Sequence, residues 1–183
     1  MLVLVEYQKE VGMEYRIASV NEVVDKPALE ELLTEYYTVV LHKLFLVGGS
    51  ARNGPKEMAL SVLANIQTCL PPTGRLVLAY SKQNRLVGCG TLQQARSDAG
   101  ELKRLFVRPE ASGNRLGRAL VDARMKAAQQ MGWRTLLVNA VKDNQDMLRI
   151  YQSLGFRFIE RYPECSDPIE LTDYFDYMQF DFE

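Results

Sequence analysis

The sequence predicts a mixed α+β domain with a mostly antiparallel sheet. Three observations carry this. Strand-like and helix-like stretches follow the order β-α-α-β-β-β-α-β-α-β-β. The three middle strands are joined by tight turns into an antiparallel meander. A strand, a glycine-bearing turn and a helix then follow one another through residues 101–127. At 183 residues the chain is of single-domain length and buries roughly two-thirds or more of the surface its unfolded form exposes.

In chain order, residues 1–12 precede Met13, from which MEYRIASV reads as a natural first strand of a domain over 13–183. The leading dozen is expected to be an appendage peripheral to the chemistry, whether an upstream start, a cloning remnant or an added edge strand. From Asn21, a candidate cap, the pattern turns helical, with Leu29, Leu32, Leu33, Tyr36, Tyr37, Val40 and Leu44 on one stripe. Residues 38–47 could pass for a strand on propensity, but the stripe continues through them. Residues 48–54, GGSARNG, break this helix, and Pro55 suits the first turn of a second. Pro71-Pro72-Thr73-Gly74 is a turn, Arg75–Tyr80 and Arg85–Gln94 are strands, and Glu101–Val107 is the central one. Pro109 ends that strand by removing a donor. Leu116, Leu120, Ala123 and Ala127 recur at helical spacing. Then come a strand at Thr135–Val141, a helix at Asp143–Leu154, a strand at Phe156–Tyr162 and a last strand within Asp173–Phe182.

Composition narrows the function. Net charge is −1, from 22 basic and 23 acidic residues, which disfavours bulk attraction to nucleic acid or an anionic membrane. Cys69, Cys89 and Cys165 are odd in number and widely spaced, as expected of free thiols in a reducing cytoplasm. A single histidine, His42, leaves no histidine-rich metal site, and no metal is expected. No stretch approaches the roughly 20 apolar residues of a membrane span, and Glu6 with no preceding basic region disfavours a signal peptide.

The centre of the chain is ELKRLFVRPEASGNRLG, residues 101–117. Strand, glycine turn and helix start make an anion site, because first-turn N–H groups lack intrahelical partners. Arg115 and Arg118 add positive charge, so the ligand should carry phosphate. The order V-x-P-x-x-S-G-x-x-x-G-R-x-L, then N-x-x-x-x-x-x-Y-x-x-L-G-F, resembles the GNAT superfamily of N-acetyltransferases. The matching residues are Val107, Pro109, Gly113, Gly117, Arg118 and Leu120, then Asn144, Tyr151, Leu154, Gly155 and Phe156. Two positions depart from the family's pyrophosphate loop, which usually has Arg or Gln at Ser112 and Gly at Arg115. Ser112 would still offer a hydroxyl and its N–H, and a helical φ would accommodate Arg115.

The resemblance implies a fold with helices on both sheet faces, the first helix pair covering an acceptor cleft. It also implies acetyl transfer from acetyl-CoA, as cosubstrate, to a primary amine. The loop Ser112, Gly113, Asn114, Arg115, Leu116, Gly117 and Arg118 would take the phosphates. The N–H of Val107, or of its neighbour Phe106, would hold the thioester oxygen. Tyr151 would protonate the leaving thiolate, its phenol having a pKa of about 10 against about 8.5 for a thiol. Glu101, on the face of Lys103, Leu105 and Val107 by period-two alternation, is either the base or a solvated carboxylate paired with Lys103 or Arg104. Asn144 either bonds the pantetheine amides or caps a helix. His42 is expected to be a surface or core residue.

The acidic residues Glu160, Glu164, Asp167, Glu170, Asp173 and Asp176 either draw a cationic amine or form a solvated face. The expected partner is thus a small-molecule or peptide amine, with direct transfer in a ternary complex. A homodimer through the last strand is implied by the family. The competing readings are a non-catalytic acyl-CoA-binding module and, lacking the G-K-[ST] ending, a mononucleotide site.

Overall fold

In the computed structural model, which describes residues 5–11 and 14–183, one eight-stranded sheet runs through the molecule. Its strands are β1 (Val5–Val11), β2 (Tyr15–Val20), β3 (Gly74–Ser81), β4 (Leu86–Arg96), β5 (Ala99–Val107), β6 (Thr135–Val141), β7 (Arg157–Ile159) and β8 (Phe175–Asp181), and their spatial order is β1-β2-β3-β4-β5-β6-β8-β7. All neighbours are antiparallel except β5 and β6, which are parallel and joined through a crossover helix. Residues 5–11 of the leading dozen are the edge strand β1, paired with β2; Met13, the expected start of the next strand, lies outside the described residues.

Four helices cover the sheet: α1 (Lys26–Leu46), α2 (Pro55–Ala64), α3 (Leu116–Gln130) and α4 (Gln145–Ser153). One apolar cluster joins Ala18, Leu76 and Leu78 to Leu29, Leu32 and Leu33 of α1 and Ala59 and Val62 of α2. The other joins Ile17, Val77, Leu92 and Leu102 to Leu116, Leu120 and Val121 of α3 and Leu148 and Tyr151 of α4. Strand alternation separates these two sets, so the helix pairs lie on opposite faces as the resemblance implied.

Helix α1 is continuous to Leu46, so the β-branched residues near its end follow the stripe rather than strand propensity. Its cap is Asp25, not Asn21: the Asp25 carboxylate accepts from the Ala28 N–H at 2.9 Å. Pro55 opens α2 as expected, and the Glu57 carboxylate accepts from the Gly54 N–H at 3.0 Å. The last strand, β8, lies inside the sheet, with β6 on one side and β7 pairing Tyr177–Gln179 on the other. A dimer built on the free edge of that strand is therefore not available over those residues.

Candidate active site

β5 and β6 pair only from Ala99–Thr135 to Leu102–Val138, after which they part. The cause lies partly within β5. Against Thr91 and Cys89 of β4 stand Lys103 and Phe106, so β5 carries an extra residue at this point. Arg104 takes it up with φ at 55°. The carbonyls displaced by the bulge are satisfied by side chains. Thr91 Oγ1 and Arg124 Nη1 donate to Lys103 O at 3.2 and 3.1 Å, and Cys89 Sγ donates to Arg104 O at 3.4 Å.

The bulge corrects the expected strand faces. Glu101 and Lys103 share a face, but beyond Arg104 the alternation shifts, and Leu105 and Val107 pack with the α3 cluster instead. Glu101 is 6% exposed; its Oε1 accepts from Tyr162 Oη at 2.6 Å and Lys103 Nζ at 2.8 Å. Burial and the adjacent Glu101 charge push the Tyr162 phenol far up, so it stays a donor to that carboxylate. Glu101 is thus paired with Lys103 as expected, but buried rather than solvated, and it is not among the residues that line the cleft described below.

Where the strands part, a cleft of about 580 Å³ passes between the two sheet faces. Its walls are Leu102, Lys103, Arg104 and Leu105 of β5 and Val138, Asn139, Ala140 and Val141 of β6. Tyr36, Tyr37, Val40 and Leu41 of α1 close one end, and Met147 and Tyr151 of α4 the other. The volume suits a small-molecule site. The backbone of β5 supplies donors to it. Arg108 N–H bonds Val87 O at 2.8 Å, so by antiparallel alternation Phe106 also faces β4, while the N–H groups of Leu105 and Val107 face the gap. Of the two N–H groups expected at the thioester, that of Val107 faces the gap, as does that of Leu105, while that of Phe106 faces β4.

Tyr151 is 2% exposed and borders the cleft. Burial pushes its phenol up, while the Arg124 guanidinium pulls it back, and the net direction is upward. It is protonated at neutral pH. Arg124, which the sequence reading did not single out, is wholly buried. It donates to Leu120 O, Thr91 O and Lys103 O, and a Cβ on Gly90 would lie 2.7 Å from its Cζ. Its Nη2 has no hydrogen-bond partner among the described residues. The available signal was an arginine four residues after Leu120 on the apolar stripe, opposite a strand reading Gly88-Cys89-Gly90.

The turn into α3 has the unpartnered N–H groups that the expected anion site requires. From Gly113 to Arg118, no backbone N–H donates to any group among the described residues; the first bond of the helix is Ala119 N–H to Arg115 O at 3.0 Å. Gly113 has φ at 81°. Two expectations change here. The Ser112 N–H is taken by Pro109 O at 3.1 Å, leaving only its hydroxyl. Arg115 is left-handed, φ 58°, so glycine would suit this position and arginine is strained there. The Asn114 amide braces the turn on the carbonyls of Ala111 and Ser112. Arg118 is tied to Asp122 at 2.7 Å and reaches Ser153 rather than the loop. Gly117 lies against Ile150, which places the anion site beside the α4 turn that carries Tyr151.

Asn144 lines the cleft and makes no side-chain cap; its Oδ1 accepts from Lys43 Nζ at 2.7 Å. Asp167 and Glu170 alone of the acidic stretch reach the cleft, where Asp167 accepts from Asn139 Nδ2 and Glu170 pairs with Arg52. His42 is exposed on α1. Among the described residues no group of three or more His, Cys, Asp or Glu could hold a metal, and no helix is long and apolar enough to cross a membrane.

Comparison with known proteins agrees with this geometry. The profile of the Acetyltransferase (GNAT) family matches residues 27–156. An N-acetyltransferase of Schizosaccharomyces pombe is 29% identical over 93 residues, which is 50% of this chain and 57% of that protein, so the match spans little more than half of the relative. An acetyltransferase from Streptococcus agalactiae superposes with a TM-score of 0.69 at 16% identity, covering 91% of this chain and 98% of that one. One from Salmonella typhimurium, solved with its cofactor acetyl-CoA, gives 0.61 at 16% identity over 91% and 94%. The parted strands, the unpartnered loop N–H groups and the family match together identify the chain as a member of the GNAT acetyltransferase family.

Proposed function

We propose that the protein is an N-acetyltransferase that moves the acetyl group of acetyl-CoA to a primary amine by direct transfer in a ternary complex. The observation that carries this reading is the cleft through the parted strands, with the unpartnered N–H run of residues 113–118 beside its α4 end. A phosphate-bearing cosubstrate would rest its pyrophosphate on that run and lead its thioester into the gap along β5. The amine nitrogen attacks the thioester carbon and the carbon–sulfur bond breaks. The transient oxyanion takes hydrogen bonds from Leu105 and Val107, and Tyr151 gives its proton to the leaving thiolate. Asp167, a carboxylate bordering the cleft, replaces Glu101 as the group that receives the ammonium proton.

The thiols support transfer without an acyl-enzyme. Cys89 is fully buried, and burial pushes its thiol up to about 12. None of the three cysteines lines the cleft. A second reading, a non-catalytic acyl-CoA-binding module of the same fold, draws on the engaged Ser112 N–H and the sealed Glu101.

Calorimetric titration with acetyl-CoA, with ATP as control, tests the shared part of both readings: acetyl-CoA binds and ATP does not. Release of coenzyme A thiol over a panel of amines separates them. Replacing Tyr151 with Phe should lower turnover about 100-fold while leaving acetyl-CoA affinity within a factor of about two. Unchanged turnover would remove Tyr151 from the mechanism.

A further inference from the structure

The α1 side of the cleft holds a positive charge that no carboxylate of the described protein neutralises. Arg104 projects from the bulge of β5, and its three hydrogen bonds all go to neutral oxygens: Tyr37 Oη at 3.2 Å, Thr91 Oγ1 at 3.1 Å and Gln93 Oε1 at 3.1 Å. Its Nη2 makes no hydrogen bond among the described residues, and Arg104 lines both this cleft and a smaller pocket of about 220 Å³ that Tyr37, Cys69 and Gln93 also line. The nearby carboxylates are engaged elsewhere. Glu101 holds Lys103 and Tyr162, Glu170 holds Arg52, and Asp167 holds Asn139. Burial alone would pull the Arg104 pKa down, but its neighbours, Tyr37 and Cys69 foremost, outweigh that, so the guanidinium stays charged.

A second unfilled donor stands in the same wall. Tyr36 lines the cleft, and its hydroxyl makes no hydrogen bond among the described residues. Its ring is held by edge contacts to Tyr37 at 4.8 Å and Phe106 at 6.1 Å, so the hydroxyl has a fixed position. Burial keeps that phenol protonated, and the hydroxyl feels both the Arg104 charge and, opposing it, that of Asp167. A half-buried guanidinium with only neutral partners is completed by an anion, and its planar fork suits a carboxylate.

We propose that the acceptor is an amine bearing a carboxylate, an amino-acid-like molecule whose carboxylate is read by Arg104 Nη2 and Tyr36 Oη. Its ammonium group is then directed toward Asp167, the carboxylate that borders the same cleft as Tyr36 and Arg104. This assignment rests on the acetyltransferase reading and names the substrate class for it.

The test uses the full chain with saturating acetyl-CoA and measures thiol release for the standard amino acids and for their C-terminal amides. At least one free acid should be turned over with kcat/KM about tenfold or more above its amide. Tyr36→Phe, which keeps the ring and its packing, should reduce that acid-to-amide ratio about tenfold, chiefly through KM for the acid. Arg104→Lys should reduce it in the same direction, since a point charge replaces the fork. Amides turned over as well as the acids, or a ratio indifferent to Tyr36→Phe, would overturn the assignment.

Calorimetry of the coenzyme A-loaded protein with N-acetyl amino acids and N-acetyl amino-acid amides gives a readout without turnover. Preference for the acids supports the assignment, and equal or absent binding overturns it. If acetyl-CoA itself does not bind, the acetyltransferase reading fails, and this assignment fails with it.

Discussion

Arg104 and Arg108, four positions apart in sequence, end in opposite electrostatic circumstances. Arg108 is 4% exposed, and its guanidinium grips two carboxylates of α1: Glu35 at 2.9 and 2.8 Å, and Glu31 at 2.9 Å. Its charge is used up in docking α1 against the end of β5. Among the described residues Arg104 holds only neutral oxygens, its Nη2 makes no hydrogen bond, and it lines the cleft. A compensated buried charge is structural, whereas an uncompensated one at a cavity wall is available to a ligand. Arg124 lies between these cases. It has no carboxylate partner among the described residues either, but its donors hold main-chain carbonyls of α3, β4 and the β5 bulge.

That ranking orders the effects of substitution. Arg124→Met should cost most, about 2–4 kcal/mol in urea denaturation, because it leaves buried carbonyls of Thr91 and Lys103 short of a donor. A loss below about 1 kcal/mol would show that the bulge stands without it. Arg108→Met should cost about 1–3 kcal/mol, tempered by the exposure of Glu31 and Glu35. Arg104→Met should cost about 1 kcal/mol or less, yet remove most of the acid-over-amide preference; if both variants lose stability equally, the contrast between the two arginines collapses. Arg115→Gly is the smallest effect and of opposite sign. Relief of the left-handed strain should add about 0.5–1 kcal/mol and tighten acetyl-CoA binding, both measurable by thermal shift and calorimetry.

The same contrast explains what could be read from the chain. Gly113, Gly117 and the apolar stripe from Leu116 are neighbours in sequence, and the turn they make depends on local backbone geometry, so its run of unpartnered N–H groups was legible. The position of Tyr151 beside the cleft was legible from its spacing to Leu154-Gly155. The faces of β5 were not, because period-two alternation assumes an unbroken pleat and the extra residue at Arg104 shifts it. Glu101 was misplaced for that reason, and Phe106 was left level with Val107. The cleft wall of Tyr36, Arg104 and Asp167 was out of reach altogether, because they come from three distant segments that only the tertiary fold brings together. Arg115 was misjudged because a sequence shows the residue type and not the sign of φ.

Parting β5 from β6 has a consequence for solubility. Beyond Leu102 and Val138 both strands carry backbone edges that do not pair with each other. On the rim of a sheet such edges invite a strand from another chain and seed aggregation. Here they face inward, roofed by α1 on one side and α4 on the other, and Lys43 bridges the two helices through Asn144. The protein can therefore keep open main-chain hydrogen-bonding capacity for a slender ligand while withholding it from neighbouring polypeptides.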